Sequence, residues 1–162
     1  MIGGLIAMKI IIGSDELGYE LKEVIKNHLT EKGIEVVDAG VYDKNPVDYP
    51  DIALSVAEKI ANNEFERGIL ICGTGIGMAI TANKVPGVRA AQCHDIYSAE
   101  RARKSNNAQI MTIGALVVGV ELAKKLVDVW LESEFQGGRS IRKVDKINNV
   151  DKKFRKFEKE GA

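Results

Sequence analysis

The chain has 162 residues, enough for a single domain with a sizeable core. Lys plus Arg number 23 and Asp plus Glu 23, so the formal net charge is zero; no overall basic field exists to hold nucleic acid or an anionic membrane surface, and an anionic ligand must be held by local donors. Two cysteines without a recognisable leader fit a reducing cytoplasm rather than a disulfide framework, and no apolar run is long enough to cross a bilayer.

Residues 1–7 are apolar and precede the first strand signal; they are expected to be an extension, with Met8 an equally good start. Lys9 to Gly13 reads as a strand ending in Ser14-Asp15-Glu16. Leu21, Val24, Ile25, His28 and Leu29 fall at helical spacing, and Gly33 ends that helix. Ile34 to Val37 is a second strand, and Asp38 to Pro50 a loop punctuated by Pro46 and Pro50. Ile52 to Ala61 carries the next helical stripe. Ile69 to Cys72 is a third strand, followed by a helix over Ile76 to Lys84 and a break at Pro86-Gly87. Val88 to Gln92, Ile96 to Lys104 and Gln109 to Ile113 read as strand, helix and strand, and Leu122 to Trp130 as a helix. Last, Val144, Ile147, Val150, Phe154 and Phe157 step by three or four along a basic helix with no strand after it.

Five β-α units with short, almost wholly apolar strands predict a three-layer α/β fold: a Rossmann-like, doubly wound, five-stranded parallel sheet with an additional C-terminal helix. Such sheets bind ligands at the carboxyl ends of their strands. That directs attention to Ser14-Asp15-Glu16, to Cys72 through Gly77, to Cys93-His94-Asp95 and to the stretch around Thr112-Gly114. Residues 8–142 are expected to form the domain. Residues 143–162, helix and tail, either complete the same fold or pack on a second subunit.

The stretch Cys72-Gly73-Thr74-Gly75-Ile76-Gly77 is the chemical centre. It lacks the third glycine of a dinucleotide fingerprint and the Gly-Lys-Ser/Thr of a P-loop, which argues against a nucleotide. Its amides (Gly73, Gly75, Ile76, Gly77) suit an oxyanion formed when a proton is abstracted beside a carbonyl, with Cys72 as a thiolate base. The competing reading of Cys72 is a small hydrophobe at a strand end. His94 suits loop bracing, with acid–base work as the alternative. With two histidines, one inside a helix stripe, no metal site is expected.

Several stretches resemble the ribose-5-phosphate isomerase B and galactose-6-phosphate isomerase family. They are Gly13-Ser14-Asp15, Val47-Asp48-Tyr49-Pro50-Asp51, Arg67 through Gly77, Ala82-Asn83-Lys84-Val85-Pro86-Gly87-Val88-Arg89-Ala90-Ala91, Tyr97-Ser98-Ala99, Asn106-Asn107-Ala108 and Phe135-Gln136-Gly137-Gly138-Arg139. The resemblance implies an aldose–ketose isomerase of a phosphorylated sugar, acting without metal or organic cofactor. In it Cys72 matches the base that moves a proton between C1 and C2 through an enediolate. Thr74, Asp15, Asn106 and Tyr49 match substrate-contacting groups, and Arg139 a phosphate-binding arginine. A second phosphate arginine of the family falls at Lys143, with Arg142 beside it. The family shares its active sites across a dimer, so a homodimer or a dimer of dimers is implied, with no nucleic acid or membrane partner. A binding subunit without turnover is the alternative.

Three histidines of the family are replaced here, by Glu16, Ser105 and Ser140. The one at Ser105 is the family's ring-opening group. A tetrose 4-phosphate cannot close a furanose ring, because its O4 carries the phosphate. The loss therefore resembles the erythrulose-4-phosphate isomerase branch. Glu16, a negative charge where a histidine often faces phosphate, implies a changed substrate pose. The alternative is a pentose phosphate whose ring is opened by Thr74, water or His94.

Overall fold

A computed structural model describes residues 8–155. The proposed extension at 1–7 and the last stripe position, Phe157, lie outside the described residues.

The elements follow the predicted order. They are β1 (Lys9–Ser14), α1 (Tyr19–Glu31), β2 (Glu35–Asp38), α2 (Tyr49–Ala61), β3 (Arg67–Cys72), α3 (Ile76–Ala82), β4 (Ala90–Gln92), α4 (Ile96–Lys104), β5 (Ile110–Gly114), α5 (Val120–Glu132) and α6 (Arg139–Arg155). The five strands pair in parallel in the order β2-β1-β3-β5-β4. Ile10, Ile11, Ile12, Ile69, Leu70 and Ile71 are wholly buried, as strands covered on both faces require. One core joins the sheet to α1, α4 and α5, and the other joins it to α2, α3 and the Val85–Val88 turn. With crossovers right-handed, β1 and β3 are neighbours whose outgoing chains leave to opposite faces. The crevice this opens at their carboxyl ends holds Asp15 and Cys72.

The elements depart from the predicted boundaries for local reasons. Val88 donates its amide to Val85 O (3.2 Å), a turn bond, so β4 starts two residues later than expected. Lys84 and Val85 bond three residues back, to Thr81 O and Ala82 O, so the regular part of α3 stops at Ala82. Gly137 and Gly138, at φ 67° and 57°, reverse the chain so that α6 opens at Arg139 instead of near Val144. That helix is continuous across residues 142 and 143, the expected division between domain and tail. Within the chain α6 buries Val144, and it is pinned by Asp151 accepting from Gly87 N (2.8 Å) and Arg155 donating to Lys84 O (2.6 Å). The other described positions of its stripe, Ile147, Val150 and Phe154, stay exposed.

Candidate active site

The loop after β3 is built around one peptide unit. Cys72 ends the strand with its side chain buried. The chain turns through Gly75 in a left-handed conformation (φ 76°), and this aims the Gly75 N–H back at Cys72 Sγ, 3.0 Å away. A Cβ on Gly75 would stand 2.9 Å from the Ile113 carbonyl carbon, and one on Gly114 2.8 Å from the Thr74 backbone. The loop therefore lies directly on the end of β5, and both glycines are needed for that approach. Ala115 N donates to Cys72 O (2.8 Å) and Leu116 N to Gly73 O (3.0 Å), which fixes the loop from the β5 side.

The structure gives the loop amides different tasks. The Gly75 amide, expected on a substrate oxygen, is committed to the Cys72 sulfur instead. The Ile76 amide reaches Thr74 Oγ1 at 3.3 Å, a long bond that an incoming oxygen can replace. Gly77 lies in the first turn of α3, where N–H groups have no intrahelical acceptor. Thr74 is exposed at the mouth and Gly73 is flanked by Leu17 and Leu116.

Two further predicted residues stand at this mouth. Tyr49 opens α2, and its ring lies against Gly77: a Cβ there would meet Tyr49 Cε2 at 2.3 Å. Asp15 is buried at the end of β1, with one carboxylate oxygen accepting from Gly18 N (3.0 Å). Burial pushes its carboxyl above the ordinary value of 3.8, with the neighbouring Glu16 charge adding to the rise and the Gly18 amide opposing it. Glu16 itself accepts from Val47 N (3.1 Å), tying the loop before α2 to the end of β1. The expected substrate-directed charge is thus occupied with a backbone amide.

His94 braces. Its Nε2 accepts from Gly114 N at 2.9 Å, which requires a neutral ring protonated on Nδ1; burial holds its basicity below the ordinary value against a smaller opposing pull from Asp95. The acid–base alternative for His94 finds Nε2 already taken. Cys93 next to it is buried, and burial, with the Asp95 charge adding to it, pushes that thiol up to about 12, so it is chemically inert.

The remaining predicted residues are elsewhere. Ser105 and Asn106 follow α4 and precede β5, at the amino end of the sheet. Arg139 opens α6 just after Gln136, whose amide donates to Lys104 O (3.1 Å), so Arg139, Arg142 and Lys143 begin near that same end, all exposed. The strand β3 alone separates its Arg67 end from Cys72 by about 17 Å at the usual rise per residue. Within one chain, the thiol and the basic residues are therefore on opposite sides of the sheet. The Ser105 hydroxyl accepts from Arg101 Nε and Nη2 (2.9 and 2.5 Å). A cavity of about 700 Å³ between Pro86, Arg89 and α6 also lies at this end, away from the thiol.

Gln92 belongs to none of the sequence motifs, yet its Nε2 donates to Thr74 O at 2.7 Å. Its register partner Thr112 donates its hydroxyl to Gly75 O at 2.8 Å. Only the position of β4 beside β5 brings Gln92 to the loop. Among the described residues no cluster of three metal-ligating side chains occurs, and no helix is long and apolar enough to cross a membrane.

The profile of the ribose/galactose isomerase family matches residues 10–147. The chain is 61% identical over 148 residues to the ribose-5-P isomerase B of Listeria innocua, covering 91% of this chain and 100% of that one. It is 54% identical over 143 residues to the D-erythrulose-4-phosphate isomerase of Pectobacterium atrosepticum, covering 86% and 93%. Among solved structures, that of Clostridium thermocellum ribose-5-phosphate isomerase B superposes with a TM-score of 0.89 at 51% identity, over 91% of this chain and 99% of that one.

Proposed function

This chain belongs to the ribose/galactose isomerase family of sugar-phosphate isomerases, and on that premise we propose that Cys72 is the base that moves its substrate's proton between C1 and C2. The observation that carries this reading is the Gly75 N–H aimed at Cys72 Sγ at the mouth of the β1–β3 crevice. A fixed amide hydrogen at this distance holds the sulfur in place and stabilises negative charge carried on it. In the aldose-to-ketose direction the thiolate takes the C2 proton. The C2–H electron pair becomes the C1=C2 bond and the carbonyl pair moves onto O1. The Thr74 hydroxyl and the amides of Ile76 and Gly77 stabilise that oxyanion. Sγ then returns the proton to C1, the O2 proton passes to O1, and the ketose is complete. The route needs no metal and no organic cofactor.

The phosphate is assigned to Arg139, with Arg142 and Lys143, from a second copy of the chain. The separation of these residues from Cys72 within one chain supports this, because a sugar phosphate cannot bridge a sheet. The half-exposed or more exposed apolar side chains of Leu17, Leu116 and Val117 at the mouth support a partner there too. The two free thiols suit a reducing cytoplasm.

Between the two substrates of its relatives, we assign a tetrose 4-phosphate. Ser105 stands where the family carries its ring opener, and its hydroxyl is engaged by Arg101, an arrangement that offers no base of useful strength. A pentose 5-phosphate closes to a furanose and needs such a group; a tetrose 4-phosphate does not. Side-by-side initial rates on D-erythrulose 4-phosphate and D-ribose 5-phosphate test the assignment. The tetrose should have the higher kcat/KM, by about a hundredfold, the lower end of what one general acid–base group contributes. A preference for ribose 5-phosphate would overturn it.

A further inference from the structure

We propose that Gln92 is a positioning residue that controls the reactivity of Cys72 through the Thr74–Gly75 peptide, an inference that rests on Cys72 being the reactive group. The two ends of one planar unit are both engaged. Gln92 Nε2 donates to the Thr74 carbonyl at 2.7 Å, and the N–H of the same peptide, on Gly75, donates to Cys72 Sγ at 3.0 Å. A peptide plane is rigid, so holding its oxygen sets the direction of its hydrogen. A donor on the oxygen also polarises the unit and strengthens the N–H as a donor.

The next peptide is pinned from the neighbouring strand. Thr112, fully buried, donates to Gly75 O at 2.8 Å, on the unit whose N–H is that of Ile76. Gln92 and Thr112 are register partners on β4 and β5, so a two-residue platform supports two consecutive peptides of the loop. The two pins have different consequences. Gly75 O also accepts from Ala79 N (3.1 Å) in the first turn of α3, so its peptide keeps an anchor without Thr112. The Thr74 carbonyl takes its donor from Gln92. Loss of Gln92 therefore acts mainly on the thiol, through the freed Thr74–Gly75 unit, while the fold is kept by the backbone bonds Ala115 N to Cys72 O and Leu116 N to Gly73 O.

The test is the pH profile of iodoacetamide alkylation at Cys72, read by mass on the Cys72 peptide, in the wild-type protein, Gln92→Met and Thr112→Ser. Met keeps the length of Gln without a donor, and Ser keeps the hydroxyl of Thr. Gln92→Met should raise the midpoint of the profile by about half a pH unit, the loss of roughly one weak hydrogen bond to the thiolate. Its kcat should fall several-fold with KM less affected, and Thr112→Ser should leave the midpoint in place. A Gln92→Met protein with wild-type circular dichroism and an unmoved midpoint overturns the proposal. The thiol's role as base is read separately, from turnover in Cys72→Ser. A shifted midpoint with Cys72→Ser still active supports the positioning while ending the base assignment; an unmoved midpoint with Cys72→Ser inactive does the reverse.

Discussion

At Gly77 the missing side chain is what lets the Tyr49 ring lie on the first turn of α3, 2.3 Å from where a Cβ would be. Alanine favours a helix over glycine by roughly 0.5–1 kcal/mol, so Gly77→Ala separates packing from propensity. The variant should displace Tyr49 from the mouth and lower kcat/KM by about tenfold, on the scale of a misplaced substrate-positioning group, while α3 stays formed by circular dichroism. Steady-state kinetics alongside a thermal melt reads both. The glycines, Cys72, Thr74 and Tyr49 are legible in the sequence as motifs, because the proposed chemistry needs those side chains at those spacings. The Tyr49–Gly77 contact is not legible there, since it is made by packing α2 on α3. Nor are the tasks of individual amides: which N–H reaches the sulfur depends on the left-handed turn at Gly75. Glu16 shows the same limit, because a charge in the sequence does not disclose that a backbone amide, Val47 N, already occupies it.

The elements themselves are legible because buried parallel strands are short apolar runs and their connecting helices carry apolar stripes. Their ends are less so, since each is decided by turn bonds such as Val88 N to Val85 O. One tie between elements is also hidden from a sequence reading. Lys22 of α1 is fully buried, and with Lys26 it places two ammonium groups 2.6 Å from Asp38 Oδ2 at the end of β2. Asp38 in turn accepts from Gly40 N (2.8 Å), and Gly40 O accepts from Ser14 N (2.7 Å), so the pair anchors the chain entering the Tyr49 loop against β1. Burial alone would raise the Asp38 carboxyl; the Lys22 and Lys26 hydrogen bonds and the Gly40 amide outweigh it and hold it below 3.8. A depressed carboxyl contributes stability above its unfolded value and loses that contribution as pH falls through its folded value. Asp38→Asn should therefore cost about 3 kcal/mol near neutral pH, because Lys22 is left buried without its closest partner. The gap between variant and wild type should close as the pH is taken below 3.8. Denaturant titrations of both proteins across that range check the magnitude and the sign.

On the scale of the whole molecule, the residues proposed to act on the sugar and those proposed to hold its phosphate lie at opposite ends of the sheet in one chain. Cys72, Thr74, Asp15 and Tyr49 occupy the carboxyl end of the sheet. Ser105, Asn106, Arg139, Arg142 and Lys143 gather towards the amino end. Both sets stand out in the sequence, and β-α alternation places the first of them, since ligand sites follow strand ends. The second set is placed only by the packing of α4 and α6. In the proposed arrangement two copies of the chain, related so that the mouth of one meets the basic end of the other, would make two complete sites, which a two-fold dimer does with a single kind of interface. Subunit mixing tests this together with the role of the thiol. Cys72→Ala and Arg139→Ala should each be nearly inactive alone, the first for want of a base and the second for want of a charge-assisted phosphate partner. Refolded together in equal amounts, they should recover about a quarter of wild-type turnover, because half the dimers are mixed and each mixed dimer holds one intact site. No recovery on mixing, or turnover by Cys72→Ala on its own, would contradict the account.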